Sequence, residues 1–371
     1  MNLAVIGCGS RGQDVIGNLL KAGNGALQVC SVYDPNNEAA DTALQKWGAA
    51  NARRAGSMPE AISEKSVDAV MIFSPNVSHA EAVITALQAG KQVFAEKPLA
   101  TNLDDCRKIL AAEKESGQKI MTGFVLRYSP IYRKVKNLLD SGEFGRIVNI
   151  SASENRISFA GGNSMSATFG WRRFREKGGP YLLEKCCHDF DLLNWFAGTT
   201  PVRVAGFGGL DYFIPENSHI WDKYDHDVFA KLVPEKYRQN PFTAEKNIFD
   251  SHSVILEYPN RIKMNFQLTL SNTIPERRMY ISCTEGTIIV DSDNSWIKHR
   301  KLGEEVTTVL RFEHSDFGTH AGGDKVMATE VADALISGKT LAISGSSNAL
   351  DCAIVALAAD ESMRTGKIIF L

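Results

Sequence analysis

Two side chains in this chain have the right chemistry to move a proton: the ammonium of Lys97 and the imidazole of His188. Lys97 stands in the run Glu96-Lys97-Pro98, directly after the apolar residues Val93-Phe94-Ala95. Charged groups at the end of a buried strand lie where open α/β sheets bind their ligands. The pattern therefore predicts that Lys97 faces a ligand, with Pro98 fixing its direction and Glu96 supporting it. The alternative is a surface turn.

His188 lies in the densest group of polar residues of the second half of the chain. A helix is predicted from Pro180 to about Phe196, and on it Glu184, His188 and Asp191 share one face because they are four and three residues apart. A carboxylate beside an imidazole orients it and stabilises its charged form, as general base catalysis requires. The pattern predicts a base at His188 oriented by Glu184. The alternative is a hydrogen-bonded histidine in a core.

The N-terminus has the context of a dinucleotide site. Residues 3–6 are apolar, Gly7-Cys8-Gly9-Ser10-Arg11-Gly12 follows, and apolar residues then recur at helical spacing. The next strand ends at Asp34, whose carboxylate can bind the adenosine ribose hydroxyls and repel a 2′-phosphate. No arginine follows it to bind that phosphate. We therefore expect NAD rather than NADP; alternatively, Asp34 only forms the turn before Pro35.

The elements that would position these groups alternate as strand and helix up to residue 122. This alternation predicts right-handed βαβ units and a doubly wound parallel sheet. The buried strand 67–73 ends in the polar loop Ser74-Pro75-Asn76, which leads to His79 at a helix start. His79 is expected either on the cofactor side of the sheet or as a capping or surface histidine.

The residues after 122 predict a second α/β domain. Residues 261–270 alternate polar and apolar side chains, and a meander of short strands follows. This pattern is typical of a sheet that has one face exposed to solvent or packed against another subunit. Two helices finish the chain, the first with Asp324 as its N-cap. Residues 156–179, which include Trp171 and Arg172, are expected to form a loop over a pocket. No structure is predicted for residues 211–246.

Composition excludes several classes of protein. The chain has 371 residues, enough for two domains, and its formal charge of −2 offers no basic surface for nucleic acid or a membrane. No signal peptide and no membrane span are expected. Seven cysteines without metal spacing indicate free thiols in a reducing cytoplasm, and no metal site is expected, even at His226 between two aspartates.

Taken together, these motifs resemble one family, the Gfo/Idh/MocA oxidoreductases (glucose-fructose oxidoreductase and inositol dehydrogenase). The resemblance covers nearly the whole chain and includes residues 7–12, 74–79, 96–98, 171–172 and 188–191. It implies a Rossmann domain (1–122) and a substrate and oligomerisation domain (123–371) with a large, open, mainly antiparallel sheet. It further implies a homodimer or homotetramer, a nicotinamide cofactor and a polyhydroxylated small molecule as substrate.

The resemblance also implies roles for particular residues. Lys97, His188 and Glu184 would be catalytic, with Lys97 and His188 flanking the reacting carbinol. Glu184 is a departure from the family pattern, since many relatives have aspartate at this position. Cofactor contacts are implied for Gly7, Gly9, Ser10, Arg11, Gly12, Asp34, Ser74, Pro75, Asn76, His79, Glu96 and Lys97, and substrate contacts for Arg127, Trp171, Arg172, Asp191 and His320.

The resulting expectation is a dehydrogenase that interconverts a secondary alcohol and a ketone on a sugar, sugar derivative or cyclitol. One alternative is an epimerase, lyase or glycosidase that oxidises its substrate transiently with tightly held NAD. The other is a non-enzymatic dinucleotide sensor, which the presence of both Lys97 and His188 disfavours.

Overall fold

The computed structural model describes residues 1–168, 170–313, 320–339 and 343–371, which form two compact units. The first unit takes in residues 1–129 and the described part of 318–353; the second takes in the described part of 130–317 and residues 354–371. The first unit thus includes the N-terminal segment up to residue 129 and a later segment of the chain. No single cut separates the units because the helix Gly323–Ser337 packs on the helix Ser10–Ala22.

The helices and strands follow in chain order. The helices are α1 (Ser10–Ala22), α2 (Asn37–Trp47), α3 (Met58–Ser63), α4 (His79–Gln88), α5 (Leu103–Ser116), α6 (Pro130–Asp140), α7 (Ser158–Ser166), α8 (Arg175–Gly178), α9 (Tyr181–Glu184), α10 (Cys187–Ala197), α11 (His219–Lys223), α12 (Asp227–Ala230), α13 (Gly323–Ser337) and α14 (Ser346–Thr365). The strands are β1 (Asn2–Ile6), β2 (Gln28–Tyr33), β3 (Arg53–Arg54), β4 (Ala69–Ile72), β5 (Gln92–Ala95), β6 (Ile120–Thr122), β7 (Ile147–Ile157), β8 (Arg203–Gly209), β9 (Ser251–Glu257), β10 (Lys263–Asn272), β11 (Glu276–Cys283), β12 (Gly286–Asp291), β13 (Trp296–Lys301), β14 (Thr308–Arg311) and β15 (Ile369–Phe370).

The first unit is built on a parallel sheet with strand order β3-β2-β1-β4-β5-β6. This is the order of a Rossmann fold, and it confirms the predicted doubly wound sheet. β1 and β4 are buried on both faces, as central strands of a parallel sheet must be. Their carboxyl ends lead into the glycine turn and the loop at Ser74, so both loops lie at one edge of the sheet.

The second unit contains a sheet of order β14-β13-β12-β11-β7-β10-β9-β8-β15. Only β7 and β10 run parallel among the neighbouring pairs that the structure describes; the others are antiparallel. Met264, Phe266 and Leu268 of β10 are buried and the residues between them are exposed or half-buried. Phe190 of α10 packs on Phe266, with ring centres 5.2 Å apart, which buries that face. The predicted mainly antiparallel sheet is confirmed.

Three local expectations are wrong. The helix predicted from Pro180 to Phe196 is broken at Lys185 and Cys186 into α9 and α10. Residues 156–179 are not one loop, because the end of β7, two helices and a 3₁₀ turn (Trp171–Arg173) occupy them. Asp324 is not an N-cap: Gly322 holds that position, and Asp324 lies in the first turn of α13, where its carboxylate bonds to other side chains.

The segment without a predicted structure, residues 211–246, contains short helices around an aromatic core. Phe213 and Phe229 both pack on Phe242, with ring centres 5.3 and 5.4 Å away. The imidazole of His226 stacks on Trp221 at 3.8 Å between ring centres. Aromatic pairs of this kind stabilise a segment that has little regular structure.

Candidate active site

The glycine turn of the first unit is shaped for a ligand. Gly7 has φ +92°, and a Cβ there would lie 2.6 Å from the carbonyl carbon of Phe73, so only glycine fits. Gly9 has an ordinary φ of −67°, and nothing lies within 4 Å of a Cβ built on it. Neither packing nor backbone conformation therefore requires glycine at position 9. The open space at the N-terminus of α1 suits the pyrophosphate of a dinucleotide.

Asp34 lies between the glycine turn and the turn that follows β2. Its Oδ2 accepts a hydrogen bond from Cys8 N at 2.7 Å, and its Oδ1 accepts one from Asn36 N at 2.8 Å. Burial, with the charge of Asp34 beside it, raises the pKa of the Cys8 thiol to about 12, so that thiol stays protonated. The expected turn-forming role is therefore present, and each carboxylate oxygen keeps a second lone pair for a ribose hydroxyl.

His79 connects two loops at the same sheet edge. The ring is buried; Nδ1 lies 2.7 Å from Pro98 O and Nε2 lies 2.7 Å from Ser74 O. Burial lowers the pKa of His79, although both carbonyl oxygens favour the charged ring. His79 is thus neither a surface nor a capping histidine: it ties the loop containing Ser74, Pro75 and buried Asn76 to the turn at Lys97.

Arg11 joins three elements of the first unit. Its Nε lies 2.7 Å from Glu96 Oε1, and its Nη1 lies 2.5 Å from Asp324 Oδ1. Burial opposes the charge of Arg11, but the carboxylates of Glu96 and Asp324 outweigh it and raise the pKa of the guanidinium. Glu96 Oε2 in turn accepts a hydrogen bond from Lys97 N at 3.2 Å. The turn carrying Lys97 is therefore anchored to the glycine-turn helix through Arg11.

Asp324 also contacts His320, whose Nδ1 lies 2.8 Å from Asp324 Oδ2. Arg127, also in the first unit, is buried and donates from Nη1 to Ile343 O at 2.9 Å. Both residues are expected substrate contacts, and both have side-chain bonds that fix them in the folded chain. The sequence predicted substrate contacts at His320 and Arg127, but it did not predict the partners that hold these side chains.

In the second unit, Glu184 and Arg172 form an ion pair. Arg172 Nε lies 2.8 Å from Glu184 Oε1, and the guanidinium lies 4.2 Å from the centre of the Trp171 ring. Glu184 ends α9, whereas His188 lies in the first turn of α10, so the one-helix geometry predicted for them does not hold. His188 and Asp191 do share α10, as predicted, and both are buried.

A buried charge cluster beneath the first turn of α10 was not predicted. Asp189 and Glu154 are completely buried, and Arg277 pairs with Asp189 at 2.6 Å and lies 3.6 Å from Glu154. Cys186 donates its thiol to Glu154 Oε2 at 3.6 Å. Glu154, Cys186 and Asp189 lie close enough for metal ligands, but the guanidinium already supplies the positive charge. The sequence signal was Glu154 at an inward position of β7, alternating with Ile150 and Ala152.

Comparisons with known proteins agree with this architecture. Residues 1–124 match the family described as "Oxidoreductase family, NAD-binding Rossmann fold", and residues 132–289 match the "GFO/IDH/MocA C-terminal domain". The chain therefore belongs to the Gfo/Idh/MocA oxidoreductase family, and its first domain is an NAD-binding Rossmann domain. The expected family, fold class and cofactor are confirmed.

Among curated proteins, the chain is 30% identical over 228 residues to an "Uncharacterized oxidoreductase" of Streptococcus pneumoniae serotype 4, covering 62% of this chain and 58% of that one. It is 40% identical over 146 residues to "Inositol 2-dehydrogenase 3" of Saccharopolyspora erythraea, covering 39% and 42%. The chain thus matches about half the length of these curated relatives.

Among solved structures, a levoglucosan dehydrogenase in complex with NADH and levoglucosan superposes with a TM-score of 0.82 at 17% identity, covering 100% of this chain and 99% of that one. The myo-inositol 2-dehydrogenase of Lactobacillus plantarum gives 0.77 at 18%, with the same coverage. At such identities these likenesses establish the fold alone. In the part of the chain that the structure describes, no helix has the length and apolarity to cross a membrane.

Proposed function

We propose that this protein is an NAD-dependent oxidoreductase that interconverts a secondary alcohol and a ketone on a sugar, sugar derivative or cyclitol. The observation that carries the proposal is the anchoring of Lys97 at the carboxyl end of β5, in a sheet whose glycine turn leaves open space at Gly9. A lysine whose main chain is held at that edge of a Rossmann sheet is suited to act on a ligand beside the nicotinamide. The names of the relatives, which include inositol and levoglucosan dehydrogenases, support the substrate class.

Bound NAD would supply the hydride acceptor for the carbinol carbon. Lys97 would donate a hydrogen bond to the alcohol oxygen, and its charge would favour the alkoxide as the hydroxyl proton leaves. His188 would accept that proton as general base. These two roles follow from the family resemblance and apply to residues that the chain retains. Gly7, Gly9, Ser10, Gly12 and Asp34 would hold the dinucleotide.

Glu184 has a role in this proposal that differs from the expected one. Since its carboxylate pairs with Arg172, it would keep the guanidinium directed along the face of Trp171 rather than act only on the imidazole. Arg172 and Trp171 would then contact substrate hydroxyl groups, with Asp191, Arg127 and His320 as further substrate contacts. Arg11, Glu96 and His79 would act on the cofactor side as supports, because their side chains bond to protein groups.

The test uses the full chain with NAD⁺ and myo-inositol, levoglucosan and D-glucose as alcohols. Lys97→Ala and His188→Ala should each lower kcat for NADH formation by about 100-fold or more, because general acid–base groups contribute that much. The matched controls are Lys108→Ala, an exposed lysine on α5, and His219→Gln on α11. NADH binding, followed by fluorescence, should persist in all variants. Unchanged NADH formation in Lys97→Ala and His188→Ala would reject the assignment.

A further inference from the structure

His320 and Asp324 form a histidine–carboxylate pair in the first unit. The contact between Nδ1 and Oδ2 is 2.8 Å, and the His320 side chain is 30% exposed whereas that of Asp324 is 10% exposed. A carboxylate on Nδ1 fixes the ring orientation and directs Nε2 away from itself. This is the arrangement of an imidazole that exchanges protons at Nε2.

The backbone that presents His320 is strained. His320 and Ala321 have φ values of +54° and +48°, a left-handed conformation that non-glycine residues rarely adopt. Ser129 Oγ donates to Ala321 O at 2.7 Å, and a Cβ at Gly323 would lie 2.4 Å from Val125 O, so the turn is held tightly against residues 125–129. Strain of this kind clusters at functional sites.

Contacts within the first unit connect His320 to the turn that carries Lys97. Asp324 bonds through one oxygen to His320 and through the other to Arg11, and Arg11 bonds to Glu96, which accepts from Lys97 N. Arg11 keeps its charge, because both carboxylates raise its pKa. The imidazole of His320 and the main chain at Lys97 are therefore joined through one network of side-chain bonds.

We propose that His320, positioned by Asp324, is an acid–base group for the carbon next to the oxidised carbon of the substrate. The inference rests on the proposed function, which supplies the ketone. Neutral His320 takes the proton at Nε2 as the carbon–hydrogen bond breaks. The electron pair of that bond forms the carbon–carbon double bond of an enolate, whose oxygen the Lys97 ammonium stabilises. Return of the proton from Nε2 restores the ketone, with inverted configuration at that carbon when the enolate turns over before the proton returns.

This step gives the protein a chemistry that simple dehydrogenation does not need. Proton exchange next to a ketone permits epimerisation, or elimination of a neighbouring substituent, before hydride returns. No net oxidation results, since the hydride removed first is the hydride restored. The pair His320–Asp324 therefore favours the transient-oxidation class among the alternatives that the sequence leaves open.

The experiment measures deuterium uptake. The full chain, saturated with NAD⁺, is incubated in deuterated buffer with 2-keto-myo-inositol and with 3-keto-D-glucose, and deuterium next to the carbonyl is followed by NMR. The wild type should exchange faster than buffer with at least one ketone. His320→Gln should lower that rate about 100-fold, and at least tenfold more than it lowers NADH oxidation by the same ketone. Asp324→Asn should shift the same ratio in the same direction, and His219→Gln should leave it unchanged.

The two proposals fail separately in this experiment. Reduction of a ketone by NADH without deuterium exchange above buffer, or with equal exchange in the wild type and His320→Gln, overturns the role of His320 and leaves the dehydrogenase intact. Absence of NADH oxidation with both ketones, together with no NADH formation from the three alcohols, rejects the proposed function. A fall in exchange and NADH oxidation by one common factor shows that His320 only holds the turn, which also overturns the inference.

Discussion

Arg277 donates to both carboxylate oxygens of Asp189, from Nε at 2.9 Å and from Nη2 at 2.6 Å, where solvent does not reach. Glu154 is buried on the other side of the same guanidinium. The pair joins β11 to the first turn of α10, the turn that carries His188. Burying two charges costs desolvation energy that their mutual attraction offsets, and removing one partner leaves the other charge buried without that compensation.

Removal of this guanidinium should destabilise the second unit strongly. Arg277→Met leaves Asp189 buried without its cation and Glu154 with only the more distant Lys185 and Arg156, which should cost about 3–5 kcal/mol. Urea unfolding followed by circular dichroism measures the change. Arg203→Met, which removes an exposed partner of Glu257, is the matched control and should change the midpoint little. Equal midpoints for the two variants would contradict the prediction.

A buried histidine should make stability depend on pH. Burial lowers the pKa of His252 to about 4 from an ordinary 6.5, with Asp360 opposing the shift. Below pH 6.5 the unfolded chain binds a proton that the folded chain does not bind until about pH 4. The contribution of neutral His252 to the free energy of unfolding is therefore fully present above pH 6.5. It is lost as the pH falls toward 4, by at most about 3 kcal/mol.

The variant His252→Phe isolates this contribution. It keeps a ring against Tyr181 and Phe249 and removes the titration. Free energies of unfolding measured from pH 7 to pH 4 should fall less steeply in His252→Phe than in the wild type. Parallel curves would show that His252 does not contribute.

The open space at Gly9 predicts a separation of binding from folding. Gly9→Ala should leave the unfolding midpoint nearly unchanged and weaken NAD⁺ binding at least about tenfold, because the added methyl group occupies the space expected for the pyrophosphate. Gly17→Ala is the matched control: it lies on the same helix, also in open space, and should stabilise by about 0.5–1 kcal/mol without changing NAD⁺ binding. Titration calorimetry measures the NAD⁺ affinity of both variants, and urea unfolding measures their midpoints. An unaltered NAD⁺ affinity in Gly9→Ala would contradict the prediction.

Asp34 should set the choice between the two nicotinamide dinucleotides. NADH should raise the melting temperature and NADPH should not, since a ligand that binds only the folded state stabilises it and the carboxylate repels a 2′-phosphate. Asp34→Asn keeps an oxygen that accepts the hydrogen bond from Cys8 N but removes the charge. The difference between the melting-temperature shifts caused by NADH and NADPH should therefore be smaller in this variant. Equal shifts from both dinucleotides in the wild type would refute a role for Asp34 in selection.

The outer face of the large sheet is the proposed contact between subunits in a homodimer or homotetramer. Ile255 and Tyr280 are 61% and 43% exposed, and they lie in one row across the sheet with Asn265 and Ser151 between them. Ile255→Glu should lower the mass measured by light scattering. Val77→Glu, an exposed change in the first unit, should leave it unaltered. A monomeric wild type would count against the proposal.

Much of the fold could be predicted because it depends on local sequence patterns. The glycine turn, the alternation of strands with helices and the period of two in β10 depend on neighbours a few residues away, and each reflects backbone geometry directly. The break between α9 and α10 could not be predicted, because the apolar periodicity of residues 180–196 continues across it. Helix propensity depends on residues that are near one another in the chain, so it does not show which buried charges α10 contacts in the folded protein.

The sequence by itself determined the family, the Rossmann domain, the NAD cofactor and the residues to examine: Lys97, His188, Asp34 and His320. Only the tertiary structure decided their partners. Arg11 reaches Glu96 and Asp324, which are 85 and 313 residues away in the chain, and Arg277 reaches Asp189 across 88 residues. Which charges meet depends on which strands become neighbours, and no local spacing encodes that order. This is why a glycine-turn arginine supports the turn at Lys97 and the strained turn at His320.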